Sequence, residues 1–258
     1  MSNLSALGLL FLMLVTLYLL QRRLHFEFQA IFLLITRRTD IALVLFSLLF
    51  FPGVVLHETS HYVLARLLGV RTGHFSLLPQ PLPDGRLRLG YVETASTDLL
   101  RDALIGIAPL LAGGAFVVYA GQYRLNLPGL WDNMLAGEPG SWMAGLSDLY
   151  QLADFWLWFY LVFAVSSTML PSASDRRAWL PVALFAVLIA GVALFAGAGP
   201  WMIGVWGRLS PWFSQALRGL TLVFGISSAV HLVLLPPLWL LRRLLARLTG
   251  LSVARIST

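Results

Sequence analysis

The sequence predicts an α-helical polytopic membrane protein, with about six transmembrane helices and a small β-hairpin or sheet inserted after the second. Three observations predict it. Apolar residues make up 58 % and charged residues 12 % of the 258-residue chain, and the mean hydropathy is +0.79, whereas a soluble domain carries about 25 % charged residues. Several apolar runs approach the roughly 20 residues that cross a bilayer as a helix. Between two of these runs the pattern switches to strand-like alternation, punctuated by Pro and Gly.

The first span is expected over Leu4–Leu20, ending at Arg22-Arg23. It lacks a basic leader and a small-residue cleavage site, so it reads as a retained N-terminal anchor. His25–Ile35 is too short to cross a bilayer and is expected to lie apart, at the interface or against the bundle. The second span starts near Asp40 and continues to about Gly69. In Arg71–Ala95, Pro79, Pro81, Pro83 and Asp84-Gly85 punctuate a stretch in which Leu87, Leu89 and Tyr91 alternate with Arg88 and Gly90; this predicts the hairpin. A third span is expected over Leu99–Gly121, with Gly106, Gly113 and Gly114 allowing close helix packing. Tyr123–Ser147 reads as a loop, with Trp131 and Trp142 suited to the interface.

A fourth span is expected over Leu149–Leu170, ended by Pro171, and a fifth over Ala178–Ala198. Trp201–Arg218 reads as interfacial, with Trp201, Trp206 and Trp212 as belt residues. A sixth span, Gly219–Leu241, runs into a basic tail with Arg242, Arg243, Arg247 and Arg255. No repeat or second domain breaks the chain, so residues 1–258 read as one membrane-embedded domain. Its core lies at about 40–198, and 219–258 forms the C-terminal helix and tail. Six crossings place the amino terminus, the hairpin, Asp175 and the basic tail on one side. The arginine excess there makes that side cytoplasmic by the positive-inside rule.

The net charge of +6 comes entirely from arginine, with no lysine. Arginine pairs at span ends suit anionic headgroups, so the bilayer is an expected partner. No basic patch interleaved with exposed aromatics points to nucleic acid. The absence of cysteine excludes disulfides and thiolate metal sites.

The chemistry concentrates in His57-Glu58-Thr59-Ser60-His61. Residues four apart share one helix face, so both imidazoles can reach one metal ion. Glu58 lies beside them as a general base for an activated water. With five His and four Glu in the chain, roughly one or two chance matches per thousand such chains are expected. Ionisable groups inside a span are costly and mark function. At 1.5 Å per residue, His57 lies roughly 25 Å from the start of its span, nearer the exit face.

Two histidines leave a tetrahedral ion short of ligands. Asp175 is the first candidate for the third, since Pro171 ends the preceding helix and lets the chain bend back. Asp148, Asp154, His74 and His231 are the alternatives, each with an ordinary reading as an interface carboxylate or a packed or surface imidazole. Arg176 and Arg177 read as cytoplasmic anchors at a span end, with fixing a substrate or the Asp175 carboxylate as the alternative; Gly53 reads as a helix-packing position, with lining a substrate path as the alternative.

With these elements in place, the chain resembles the site-2 protease family of intramembrane zinc metalloproteases. The family's HExxH helix corresponds to His57–His61, and its Asn-x-x-Pro segment with a following ligating Asp corresponds to Thr168–Asp175. The order of elements between them is similar, over about residues 40–198, and Gly106–Pro109 loosely matches the family's Gly-Pro element. Thr168 stands where the family usually has Asn, Arg176 follows Asp175 in place of Gly, and the Pro-to-Asp spacing is one residue shorter. The resemblance implies a Zn²⁺-dependent endopeptidase of a prokaryotic cell membrane. His57, His61 and Asp175 would hold one ion, Glu58 would act as base, and a membrane protein or peptide would be the substrate. Two other classes share the motif. One is a zinc-dependent membrane hydrolase of a lipid or small amide; the other is a non-catalytic metal-binding membrane protein.

Overall fold

The apolar run that begins at Asn3 continues unbroken to Thr36 in the computed structural model, which describes residues 3–77, 80–81, 87–135, 139–251 and 253. This helix, α1, joins the expected first span and the His25–Ile35 segment. No Pro or Gly follows Gly8 within it, and arginine is a good helix former. Arg23 also pairs with Glu27 one turn on, at 2.8 Å, so the basic pair does not end the helix. Arg37, at φ +54°, turns the chain, and α2 follows over Thr39–Leu67. Gly69, at φ +71°, closes α2, where the amides of Gly69 and Val70 return to the carbonyls of Arg66 and Ala65.

Four short strands follow: β1 (Thr72–Ser76), β2 (Gln80–Pro81), β3 (Leu87–Arg88) and β4 (Tyr91–Thr94). β1 pairs antiparallel with β4 and β2 with β3, so the expected hairpin is present as two ladders. Phe75 faces Val92 and Ser76 faces Tyr91, with the register irregular between Thr72 and Phe75. Pro79, Pro83 and the Asp84-Gly85 turn lie outside the described residues, as does Arg255.

Asp98 starts α3 (Leu99–Tyr119) by accepting the Arg101 amide at 3.0 Å. A wider π-type turn, Ala120–Arg124, ends it. The stretch expected as a loop holds two helices, α4 (Leu127–Leu135) and α5 (Pro139–Gln151). Pro128 and Pro139 fall in their first turns, where a missing amide hydrogen costs nothing, so they punctuate helix starts. α6 (Phe155–Thr168) meets α5 at 94°. The fourth expected span is therefore broken between Gln151 and Phe155. α7 (Trp179–Phe195) has no buried residue. The 51 residues of α8 (Gly199–Thr249) join the expected interfacial stretch and the sixth span into a rod of about 76 Å.

Contacts along the helices fix their directions. α2 and α6 run parallel, with Tyr160 donating to the Leu49 carbonyl near one end and His57 meeting Thr168 near the other. α1 and α8 form the most extensive helix pair and are also parallel. Ser214 donates to Asn3 at 2.7 Å, and Glu27 pairs with Arg242 further along. Phe50, Val54, Val117, Val162 and Phe224 belong to the core between these helices. Among the described residues, four helices can cross a membrane by length and composition: α1, α2, α8, and α3 with its terminal turn. The bent α5–α6 pair makes a possible fifth, and α7 is a shorter apolar helix of 17 residues. The architecture is that of a helical, multi-pass membrane protein.

Candidate metal centre

Three elements meet around the HExxH turn of α2: the end of α6, the turn that follows it, and the first half of α3. Small residues permit this approach. A Cβ on Gly53 would run into the Ala164 carbonyl and Thr168 hydroxyl of α6, and one on Gly106 would run into the Asp175 carbonyl oxygen. The packing reading of these two glycines therefore holds, and Gly106 does more: it admits the backbone of a candidate ligand.

The two imidazoles are held the same way. His57 Nδ1 donates to the Thr168 carbonyl at 2.7 Å, and His61 Nδ1 donates to the Ile105 carbonyl at 2.9 Å. A carbonyl only accepts, so both rings carry their proton on Nδ1 and turn a lone pair outward from Nε2. The two Nε2 atoms lie 3.2 Å apart. Asp175 completes the group, with Oδ2 3.7 Å from His57 Nε2 and Oδ1 3.4 Å from His61 Nε2. An ion about 2.0–2.1 Å from each ligand in a tetrahedral arrangement sets its ligand atoms about 3.3–3.4 Å apart. The residues fit such an ion in tautomer and donor chemistry, and with one ligand atom from each, all within 4.8 Å of one another, the group could hold a metal ion.

Asp175 is anchored through its own turn, where the Ser172 amide donates to its Oδ2 at 2.7 Å. That hydrogen bond favours the ionised form of the carboxyl, the form in which it can ligate a metal. Glu58 is buried beside the group, with Gly90 of the hairpin against its Cγ. A cavity of about 840 Å³ reaches His57, Glu58, His61 and Asp175, and residues Tyr91–Thr94 of β4 line it. In the sheet, β4 is paired with β1 alone among the described residues.

The other candidates fall elsewhere. Asp148 and Asp154 are exposed, on α5 and at the start of α6. His74 is exposed on β1, its ring beside Tyr91. His231 is fully buried in α8, bonded to Ser167 and the Ser227 carbonyl. Arg177 makes a contact that the anchor reading does not cover: its guanidinium grips both oxygens of Asp102 at 2.8 and 2.9 Å. The sequence offers no signal for this pair, whose members lie 75 residues apart.

No protein-family model, curated protein or solved structure matches the chain. Fold and site together define a helical membrane protein with a His57–His61–Asp175 group able to hold a metal ion.

Proposed function

We propose that this protein is an intramembrane zinc metalloprotease, hydrolysing peptide bonds of membrane-embedded or membrane-proximal protein segments. The observation that carries this reading is the convergence of two tautomerically fixed Nε2 atoms and one ionised carboxylate beside Glu58. His57, His61 and Asp175 hold the ion, and His/carboxylate ligation favours zinc. When bound, zinc supplies Lewis acidity for activating water and polarising a carbonyl.

The chain's own residues do the remaining work. Glu58 accepts a proton from the attacking water and returns it to the leaving amine, so water adds across the C–N bond to give acid and amine. The cavity admits water and an extended segment to a site otherwise enclosed by apolar helices. β4 offers main-chain hydrogen bonds to that segment, a mode that reads backbone and not sequence. This favours an unwound peptide over a lipid as substrate.

Parallel α1 and α8 alter the expected topology. Crossings by α1, α2, α3, α5–α6 and α8 number five, with α7 outside the count. The amino terminus and Asp175 then share one face, while Arg242, Arg243 and Arg247 go to the other. The arginine excess that assigned the site to the cytoplasmic face disappears with that move.

Zinc analysis of the detergent-purified protein tests the reading. Near-stoichiometric zinc in the wild type, lost in His57→Ala and Asp175→Ala, is expected. No zinc in any preparation after supply of the metal overturns it.

A further inference from the structure

The turn that carries Asp175 has little apolar anchorage of its own: Ser172, Ala173, Ser174, Arg176 and Arg177 are all exposed. One turn of α3 supplies the anchorage. Asp102 takes the Arg177 fork, the Ala103 carbonyl accepts from Trp179 Nε1 at 3.3 Å, and Gly106 receives the Asp175 backbone. The same turn carries the Ile105 carbonyl that fixes the His61 ring. Residues 102–106 thus set two candidate ligands from different parts of the chain against one another.

We propose that Asp102 and Arg177 are positioning residues of the metal site, their ion pair latching the Asp175 turn to α3 so that the carboxylate is in place before the ion arrives. This rests on the metal-site reading above. A planar fork on a carboxylate fixes distance and angle together, which a single contact does not. Arg177 is largely exposed, and exposed pairs add little to global stability. The effect of the latch is therefore local: without it, the order of the turn must come from metal binding and weakens it.

The test measures zinc affinity by competition with a chromophoric chelator, alongside thermal unfolding in detergent. Asp102→Ala and Arg177→Ala are each expected to bind zinc about 10- to 100-fold more weakly, the usual scale for groups that orient a ligand, with little change in unfolding. Arg177→Lys keeps the charge, loses the fork and should fall between. The exchange Asp102→Arg with Arg177→Asp should regain most of the affinity. Wild-type affinity in the single variants, or an exchange no better than they are, overturns the proposal.

A second readout needs no metal. The chain has no cysteine, so Ala173→Cys gives one spin-label position on the turn. The label should be immobilised with Asp102 present and mobile in Asp102→Ala; equal mobility overturns the latch. If the wild type takes up no zinc, the metal reading fails while the label still decides the tie. If Asp102→Ala does not fold, Arg177→Lys decides by both readouts.

Discussion

Two polar clusters sit inside this apolar bundle, and their carboxylates make the comparison direct. Glu27 on α1 is 0 % exposed and Glu58 on α2 is 8 % exposed, so by burial alone Glu27 is the more unusual. Its oxygens are met by Arg23 and Arg242, which tie α1 to α8. Nearby, Gln21 donates to the Ser166 carbonyl, and Ser167 bonds His231. These ties are internal to the cluster around α1 and α8, although His25 Nε2, Ser227 Oγ and Ser228 Oγ are buried there without a hydrogen-bond partner among the described residues. At the metal centre only the Nδ1 side of each imidazole is closed, and both Nε2 lone pairs converge with a carboxylate on a cavity. Depth of burial is common to both regions. The direction of the lone pairs separates a structural tie from a site.

The largest expected effect breaks the symmetry of the two carboxylates. Glu58→Gln should lower cleavage of a membrane-embedded test substrate about a thousandfold, the range for losing a positioned acid–base group, while zinc content stays near wild type. Glu27→Ala should do the reverse, losing about 1.5–3 kcal/mol of stability because Arg23 and Arg242, 34 % and 17 % exposed, lose their charged partner, with zinc content unchanged in the fraction that remains folded. Detergent unfolding and metal analysis on the same preparations read both. A Glu27 variant that stays stable but loses zinc would erase the distinction.

The histidine half of the candidate metal centre was legible in the sequence because it is constrained locally: His57 and His61 are four apart on a helix. Asp175 was one of five candidates for the third ligand, and what brings it to the histidines is tertiary, the approach of its backbone to Gly106 of α3. The α1–α8 pairing was not legible, since Glu27 and Arg242 are 215 residues apart and apolar periodicity is silent about which helix meets which. The separate His25–Ile35 segment misread Arg22-Arg23 as a helix end, when the pair lies within a helix and Arg23 meets Glu27. Pro128 and Pro139 misled in the opposite sense, because proline is equally at home in a loop and in the first turn of a helix. Arg177 looked like an anchor because its partner, Asp102, is marked only by three-dimensional proximity.

A smaller effect tests how the site depends on helix approach. Gly53→Ala adds one carbon where the Ala164 carbonyl and Thr168 hydroxyl already press. Overpacking of this kind costs about 1–3 kcal/mol. Here it should also weaken zinc binding, because α6 carries the Thr168 carbonyl that orients His57. Gly8→Ala, where a Cβ would meet nothing within 4 Å, should leave both stability and zinc affinity near wild type. Equal zinc affinities in the two variants would show that the His57 tautomer does not depend on close α2–α6 contact.

The smallest effect is the most discriminating, because Ser167 belongs to both regions. It lines the cavity and also lies 3.0 Å from His231 Nε2. His231 Nδ1 donates to the Ser227 carbonyl at 2.7 Å, so Nε2 carries the lone pair and the Ser167 hydroxyl donates to it. Interhelical bonds of this kind in a membrane average about 0.6 kcal/mol. Ser167→Ala should therefore shift detergent unfolding by about that amount and leave zinc affinity and cleavage unchanged, placing the residue with the α1–α8 tie. A fall in zinc affinity without a shift in unfolding would place it with the metal centre instead. The boundary between the two clusters would then run through α8, at His231, and not through α6.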